Sequence, residues 1–169
     1  RGNVISGSNK VAEFYGTGFR ADLPFLCTIA GGFENEIKNL SYAGFIGGGI
    51  QNSIKLDGDV SISIQGVFSS AIVGGSGNKI HSDTAGIVLF SGWNFIGGGS
   101  FNTISGSSSS VIAGGGSNNI TSNSAGGVIG GGQLNQIGDD VYITYGGTPG
   151  TVAESDYAFI GGGYVNRIK

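Results

Sequence analysis

The segment Phe95-Ile96-Gly97-Gly98-Gly99-Ser100-Phe101-Asn102-Thr103-Ile104 is followed by Val111-Ile112-Ala113-Gly114-Gly115-Gly116-Ser117-Asn118-Asn119-Ile120, with two glycines, one asparagine and two isoleucines at the same offsets. Five further copies run from Thr28 to Ile37, Phe45 to Ile54, Ala71 to Ile80, Val128 to Ile137 and Phe159 to Ile168, and Gly2-Asn3-Val4-Ile5 has the form of the end of another. A recurring unit of this kind is the mark of stacked elements, each too thin to bury its own apolar face.

Within each copy the two isoleucines stand eight residues apart, and Ile96, Ile104, Ile112 and Ile120 continue the same step across two copies. Hexapeptide solenoids step by six, so a half-period of eight argues instead for two short strands in each coil of about 16–17 residues. Each isoleucine then points inward and stacks on its counterpart in the next coil, about 4.8 Å away. The expected fold is all-β, a parallel β-roll or β-helix solenoid forming one domain over residues 1–169, read as a segment of a longer fibrous chain.

The corner Gly-Gly-x-x-Asn has a physical reason for each residue type. Glycine accepts positive φ and close backbone approach, and asparagine tolerates the left-handed region while bonding local backbone groups. Stacked in register, Asn35, Asn52, Asn78, Asn102, Asn118, Asn135 and Asn166 are expected to form a ladder along one corner. A phosphate cradle would need Gly-Lys-Ser/Thr opening a helix, which no corner has.

Composition narrows the function classes. The chain holds 36 glycines, two prolines and 11% charged residues, while its 38% hydrophobic content and net charge of −3 oppose disorder. Eight scattered Lys and Arg provide no footprint for nucleic acid. Cys27 and His81 are single, which excludes a disulfide framework and the usual zinc spacings, and both are read as packing or surface residues. No apolar run is long enough for a membrane helix, and no cofactor is expected.

One isoleucine per strand makes a thin core, marginal for a lone chain. Three parallel chains sharing an axis would relieve this, with Phe45, Phe95, Val111, Val128 and Phe159 filling the space between subunits. A homotrimer is therefore expected, with a monomeric solenoid as the alternative.

With these residues in view, the chain resembles the head repeats of YadA-type trimeric autotransporter adhesins and the Gly-Gly-Gly-x-x-Asn repeats of phage tail fibres. The resemblance covers the repeat blocks, roughly half the chain. It implies left-handed coils, a trimer and attachment to host surfaces, with an extracellular setting on a virion tail or a bacterial surface, and it brings no catalytic residues. The adhesin heads are regular arrays of shorter units, whereas this chain carries large insertions, which favours the fibre reading.

Those insertions all fall on one connection. The return from a second isoleucine to the next first isoleucine is short at Ile37 to Ile46, Ile104 to Ile112 and Ile120 to Ile129, and much longer at Ile5 to Ile29, Ile54 to Ile72, Ile80 to Ile96 and Ile137 to Ile160, while the corner never changes length. Insertions at 6–28, 55–71, 81–94 and 138–158 therefore sit on one edge, the usual location of a binding face on a rigid scaffold. They carry Phe14, Tyr15, Phe19, Phe25, Trp93, Tyr142, Tyr145 and Tyr157, aromatics able to stack on sugars or anchor a protein, or equally to close over the roll as local cores. The alternation in Val60 to Ile64 and Val141 to Tyr145 reads as hairpin strands. Asp57, Asp59, Asp139 and Asp140 are weak calcium or carboxylate-pair candidates, and turns explain them as well. The expected function is a non-enzymatic receptor-binding or adhesion segment that presents these loops to a cell-surface glycan or protein. The alternatives are a tailspike-type polysaccharide depolymerase and a purely structural shaft.

Overall fold

The computed structural model describes residues 2, 4–6, 14–15, 18–19, 26–38, 41–57, 66–83, 90–121, 124–138 and 157–169. Among them there is no helix, and nearly every strand pairing is parallel. The strands built on the first isoleucine, Thr28–Ile29, Phe45–Ile46, Ala71–Ile72, Phe95–Ile96, Val111–Ile112, Val128–Ile129 and Phe159–Ile160, form a seven-stranded sheet in sequence order. Those built on the second, Val4–Ser6, Glu36–Lys38, Ser53–Asp57, Lys79–Asp83, Thr103–Ser105, Asn119–Ile120, Gln136–Ile137 and Arg167–Ile168, form an eight-stranded sheet, also in sequence order. Two parallel sheets fed alternately by one chain are compatible with a β-solenoid.

Register follows the isoleucines wherever the insertions fall. Where copies follow one another closely, Ile96 lies opposite Ile112 and Ile112 opposite Ile129. Where long insertions intervene, Ile46 still lies opposite Ile72 and Ile129 opposite Ile160. A one-residue slip would turn each buried isoleucine outward, so the inserted residues are accommodated without shifting the ladder. From Ile37 to Ile137 every repeat isoleucine is fully buried, and the isoleucines of both sheets form a single core joined by Val67. Burial of one such side chain stabilises the fold by about 1.5 to 3 kcal/mol.

The asparagines form a second, polar core beside the first. Asn118 donates its backbone N–H and its Nδ2 to Asn102 Oδ1, each at 3.1 Å, and its Nδ2 also reaches Gly114 O and Gly132 O at 3.0 Å. The same pattern links Asn102 to Asn135 through Asn118, and Asn135 to Asn166. Because Asn35 to Asn135 are wholly buried, their amides need these partners, and identical spacing in every coil supplies them. The second glycine of each corner makes room for this contact. Gly115 has φ of 92°, and a methyl group there would collide with Gly132 O.

Each coil has more sides than two strands imply. Single parallel bridges link Phe33, Ile50, Ser76, Ser100, Gly116, Gln133 and Tyr164, a third ladder along the corner. A three-stranded parallel sheet of Ser41–Tyr42, Gly66–Phe68 and Phe90–Gly92 lies against the longer second strands. The insertions expected at 55–71 and 81–94 are thus strand at both ends: residues 55–57 and 81–83 prolong the second sheet, and 66–68 and 90–92 build the small one. Ladder hydrogen bonds continue past the repeat isoleucine wherever neighbouring coils both supply a chain there, as Ser53–Asp57 and Lys79–Asp83 do for each other.

Candidate receptor-binding edge

Two columns of residues in the left-handed region turn the chain at each coil. One precedes the ladder asparagines and includes Phe101, Leu134 and Val165, all with φ of 56°. The other lies two residues before each first strand: Leu26, Ala43, Ser69, Trp93, Ser109, Gly126 and Tyr157, with φ between 44° and 72°. Bulky residues are rare in this conformation, which costs about 1 to 2 kcal/mol each. Hydrogen bonds between coils offset that cost, since Trp93 N–H donates to Phe68 O at 2.9 Å, Ser109 N–H to Gly92 O at 2.8 Å and Tyr157 N–H to Ala125 O at 2.8 Å.

This second column is where every insertion returns to the stack, and three of the four long returns place a large apolar or aromatic residue there. Trp93 is 68% exposed and Tyr157 is 85% exposed. They stand three coils apart, about 14 Å along the stack, with Ser109 and Gly126 between them. The ring of Tyr157 lies back over Gly126: a methyl group at Gly126 would sit 2.8 Å from Tyr157 Cδ1. Both candidate aromatics are thus surface groups on a hydrogen-bonded frame rather than parts of a local core.

Support for the edge comes from a column of which the sequence reading singled out only Cys27. The position just before each first strand is small or polar and mostly buried: Cys27, Gly44, Ser70, Asn94, Ser110, Gly127 and Ala158. Asn94 Nδ2 donates to Ser107 O at 2.8 Å, and Ser110 N–H donates to Asn94 Oδ1 at 3.0 Å. Ser107 Oγ and Ser110 Oγ are 2.7 Å apart, and Ser107 Oγ donates to Ser124 O at 2.9 Å. The run of serines from Ser107 to Ser110, with Asn94 one residue before a repeat, was the available signal. Cys27 belongs to this column, packing on the isoleucine core and accepting from Gly44 N–H at 3.3 Å.

The remaining candidates divide by position. Phe14 and Phe19 are register partners, as are Tyr15 and Gly18, in a short antiparallel pair within the first insertion. Asp57 lies in register with Asp83 on the neighbouring strand, a juxtaposition the sequence did not suggest. Tyr142, Tyr145, Phe25, Asp59, Asp139 and Asp140 lie outside the described residues, as do the hairpin segments at 60–64 and 141–145. His81 is half-buried in the second sheet, between Lys55 and Ser105. Among the described residues no three His, Cys, Asp or Glu side chains gather as a metal site would require.

Compared with protein-family models, curated proteins and solved structures, the chain has no match.

Proposed function

We propose that this chain is a non-enzymatic receptor-binding or adhesion segment of a trimeric extracellular fibre, on a phage or virus tail or a bacterial surface. The observation that carries the reading is the edge on which Trp93 and Tyr157 stand exposed where long insertions rejoin an unbroken ladder. An aromatic side chain offers a ligand contact area at little conformational cost when its backbone is already held, and both backbones are. In this reading the coils wind left-handed, as in the adhesin heads the repeats resemble, and three chains share an axis because each coil buries only two isoleucines. The ligand is a cell-surface glycan or protein.

The test is binding of the purified protein to a glycan array, with a parallel assay for release of reducing ends. Binding that is lost in Trp93→Ala and Tyr157→Ala, without cleavage, is the expected result. Unchanged binding by both variants would remove the edge from the reading. One observation favours a depolymerase instead, the register pairing of Asp57 with Asp83. Reducing ends released by the native chain and abolished by Asp57→Asn would move the assignment there.

A further inference from the structure

Resting on the reading of a multi-chain fibre, we infer that copies of this chain meet through the constant corner together with the outer face of the first-strand sheet, and that the occupant of this surface is a second copy. The motif corner is the part of the sequence that reads as scaffold alone, yet its x-x positions carry Phe33, Ile50, Phe101, Leu134, Tyr164 and Val165, all exposed. On the strand face the exposed large apolar residues are Phe45, Val73, Phe95 and Phe159, four against the six of the corner. The corner therefore carries at least as much of the available apolar surface as the strand positions do.

Charge separates this surface from the outer face of the second sheet. It consists of four columns of seven residues: the residue before each first isoleucine, the residue after it, the bridge column and the left-handed column that precedes the asparagines. Among these the one charged residue is Glu34, which accepts a hydrogen bond from Gln51 Nε2 at 2.9 Å. The outward positions of the second sheet carry Glu36, Lys38, Lys55, Lys79, Arg167 and Lys169. Interface centres are depleted of charge in this way, and four columns of seven match the roughly 20 to 30 residues a side of a standard interface.

The surface is also level. Where the residue before the isoleucine is phenylalanine, the residue after it is glycine, and the ring lies over that glycine. A methyl group at Gly97 would sit 3.3 Å from Phe95 Cε1, at Gly47 3.4 Å from Phe45 Cε1, and at Gly161 3.5 Å from Phe159 Cε1. Where the first residue is small, the second grows, as in Ala71 with Val73. On the corner, Phe101 fills the place of the missing side chain at Gly77, whose added methyl would lie 2.8 Å from Phe101 Cδ1. A level face seven coils long, with rows about 4.8 Å apart, keeps its rows aligned only with a partner of the same spacing. A second copy has that spacing over the whole length. The thin core gives the association its driving force, because each coil hides two isoleucines and leaves these columns uncovered.

The experiment compares three proteins by sedimentation equilibrium: the native chain, Phe101→Lys with Leu134→Lys on the corner, and Thr103→Lys with Gln136→Lys on the outer face of the second sheet. The expected result is a native oligomer, a corner variant whose dissociation constant rises at least a hundredfold, and a control within about twofold of native. Hydroxyl-radical footprinting of the native oligomer provides a reading independent of any variant's folding. Phe101 and Tyr164 should be modified at least tenfold more slowly than their exposure in the single chain predicts, with Trp93 and Tyr157 unprotected. A native oligomer in which the corner variant assembles normally, or in which Phe101 is labelled as fast as Trp93, overturns this interface and leaves the fibre reading standing. A native chain that sediments as a monomer overturns both.

Discussion

Asn118 and Asn102 are joined twice through one oxygen: the backbone N–H and the side-chain Nδ2 of Asn118 both donate to Asn102 Oδ1, at 3.1 Å each. The oxygen is wholly buried, so neither donor can turn to water if it is removed. Each asparagine in the ladder is at once the anchor of the coil that follows and the guest of the coil before, which makes the corner cooperative along the stack.

Asn102→Ala is accordingly expected to destabilise the protein by about 3 kcal/mol, since the Asn118 backbone N–H loses its acceptor while Asn118 Nδ2, Asn78 Oδ1, Gly98 O and Gly115 O each lose a partner. Asn166→Ala, at the exposed end of the ladder, should cost about 1 kcal/mol. Urea denaturation of the two variants beside the native chain measures the difference, and equal losses would contradict a buried, directional ladder.

Two adjacent glycines should respond oppositely to the same substitution. At Gly114 an added methyl meets no heavy atom within 4 Å, so Gly114→Ala should leave stability within about 0.5 kcal/mol of native. At Gly115 the methyl runs into Gly132 O and φ is 92°, so Gly115→Ala should cost more than about 3 kcal/mol or prevent folding. Thermal unfolding followed by circular dichroism separates the two.

The isoleucine core permits a graded test. Ile112 is fully buried between the first-strand isoleucines Ile96 and Ile129, so Ile112→Val should lose about 1 kcal/mol and Ile112→Ala about 3 to 4 kcal/mol. A small loss in Ile112→Ala would mean that the stack closes over the missing methyls. Denaturant midpoints with unchanged slopes provide the reading.

Trp93 and Tyr157 should separate stability from binding. Both are exposed, so replacing either by alanine should move stability by less than about 0.5 kcal/mol. If the edge binds a receptor, each replacement should weaken that binding by about 2 kcal/mol, roughly thirtyfold. Isothermal titration with whichever array ligand binds native protein checks both halves. A loss of stability without loss of binding would assign the aromatics to the frame.

Parallel stacking, two strands per coil and the asparagine ladder were all legible in the residues. Ile96, Gly99, Asn102 and Ile104 each do the same local job in every copy, and a repeated local job at constant spacing appears in a single sequence. The small sheet of Ser41–Tyr42, Gly66–Phe68 and Phe90–Gly92 was not legible. Its strands exist because neighbouring coils both extend there, which no segment records about itself.

The edge divides along the same line. That insertions gather on one connection follows from counting residues between isoleucines. That Leu26, Trp93 and Tyr157 share one left-handed column with Ala43, Ser69, Ser109 and Gly126 does not, because connections of very different length hide the common position until stacking aligns it. The reach of the corner's apolar surface was hidden for a related reason. Phe33, Phe101 and Tyr164 occupy positions free to vary in the motif, and a column one residue wide becomes a surface only when seven coils lie in register about 4.8 Å apart.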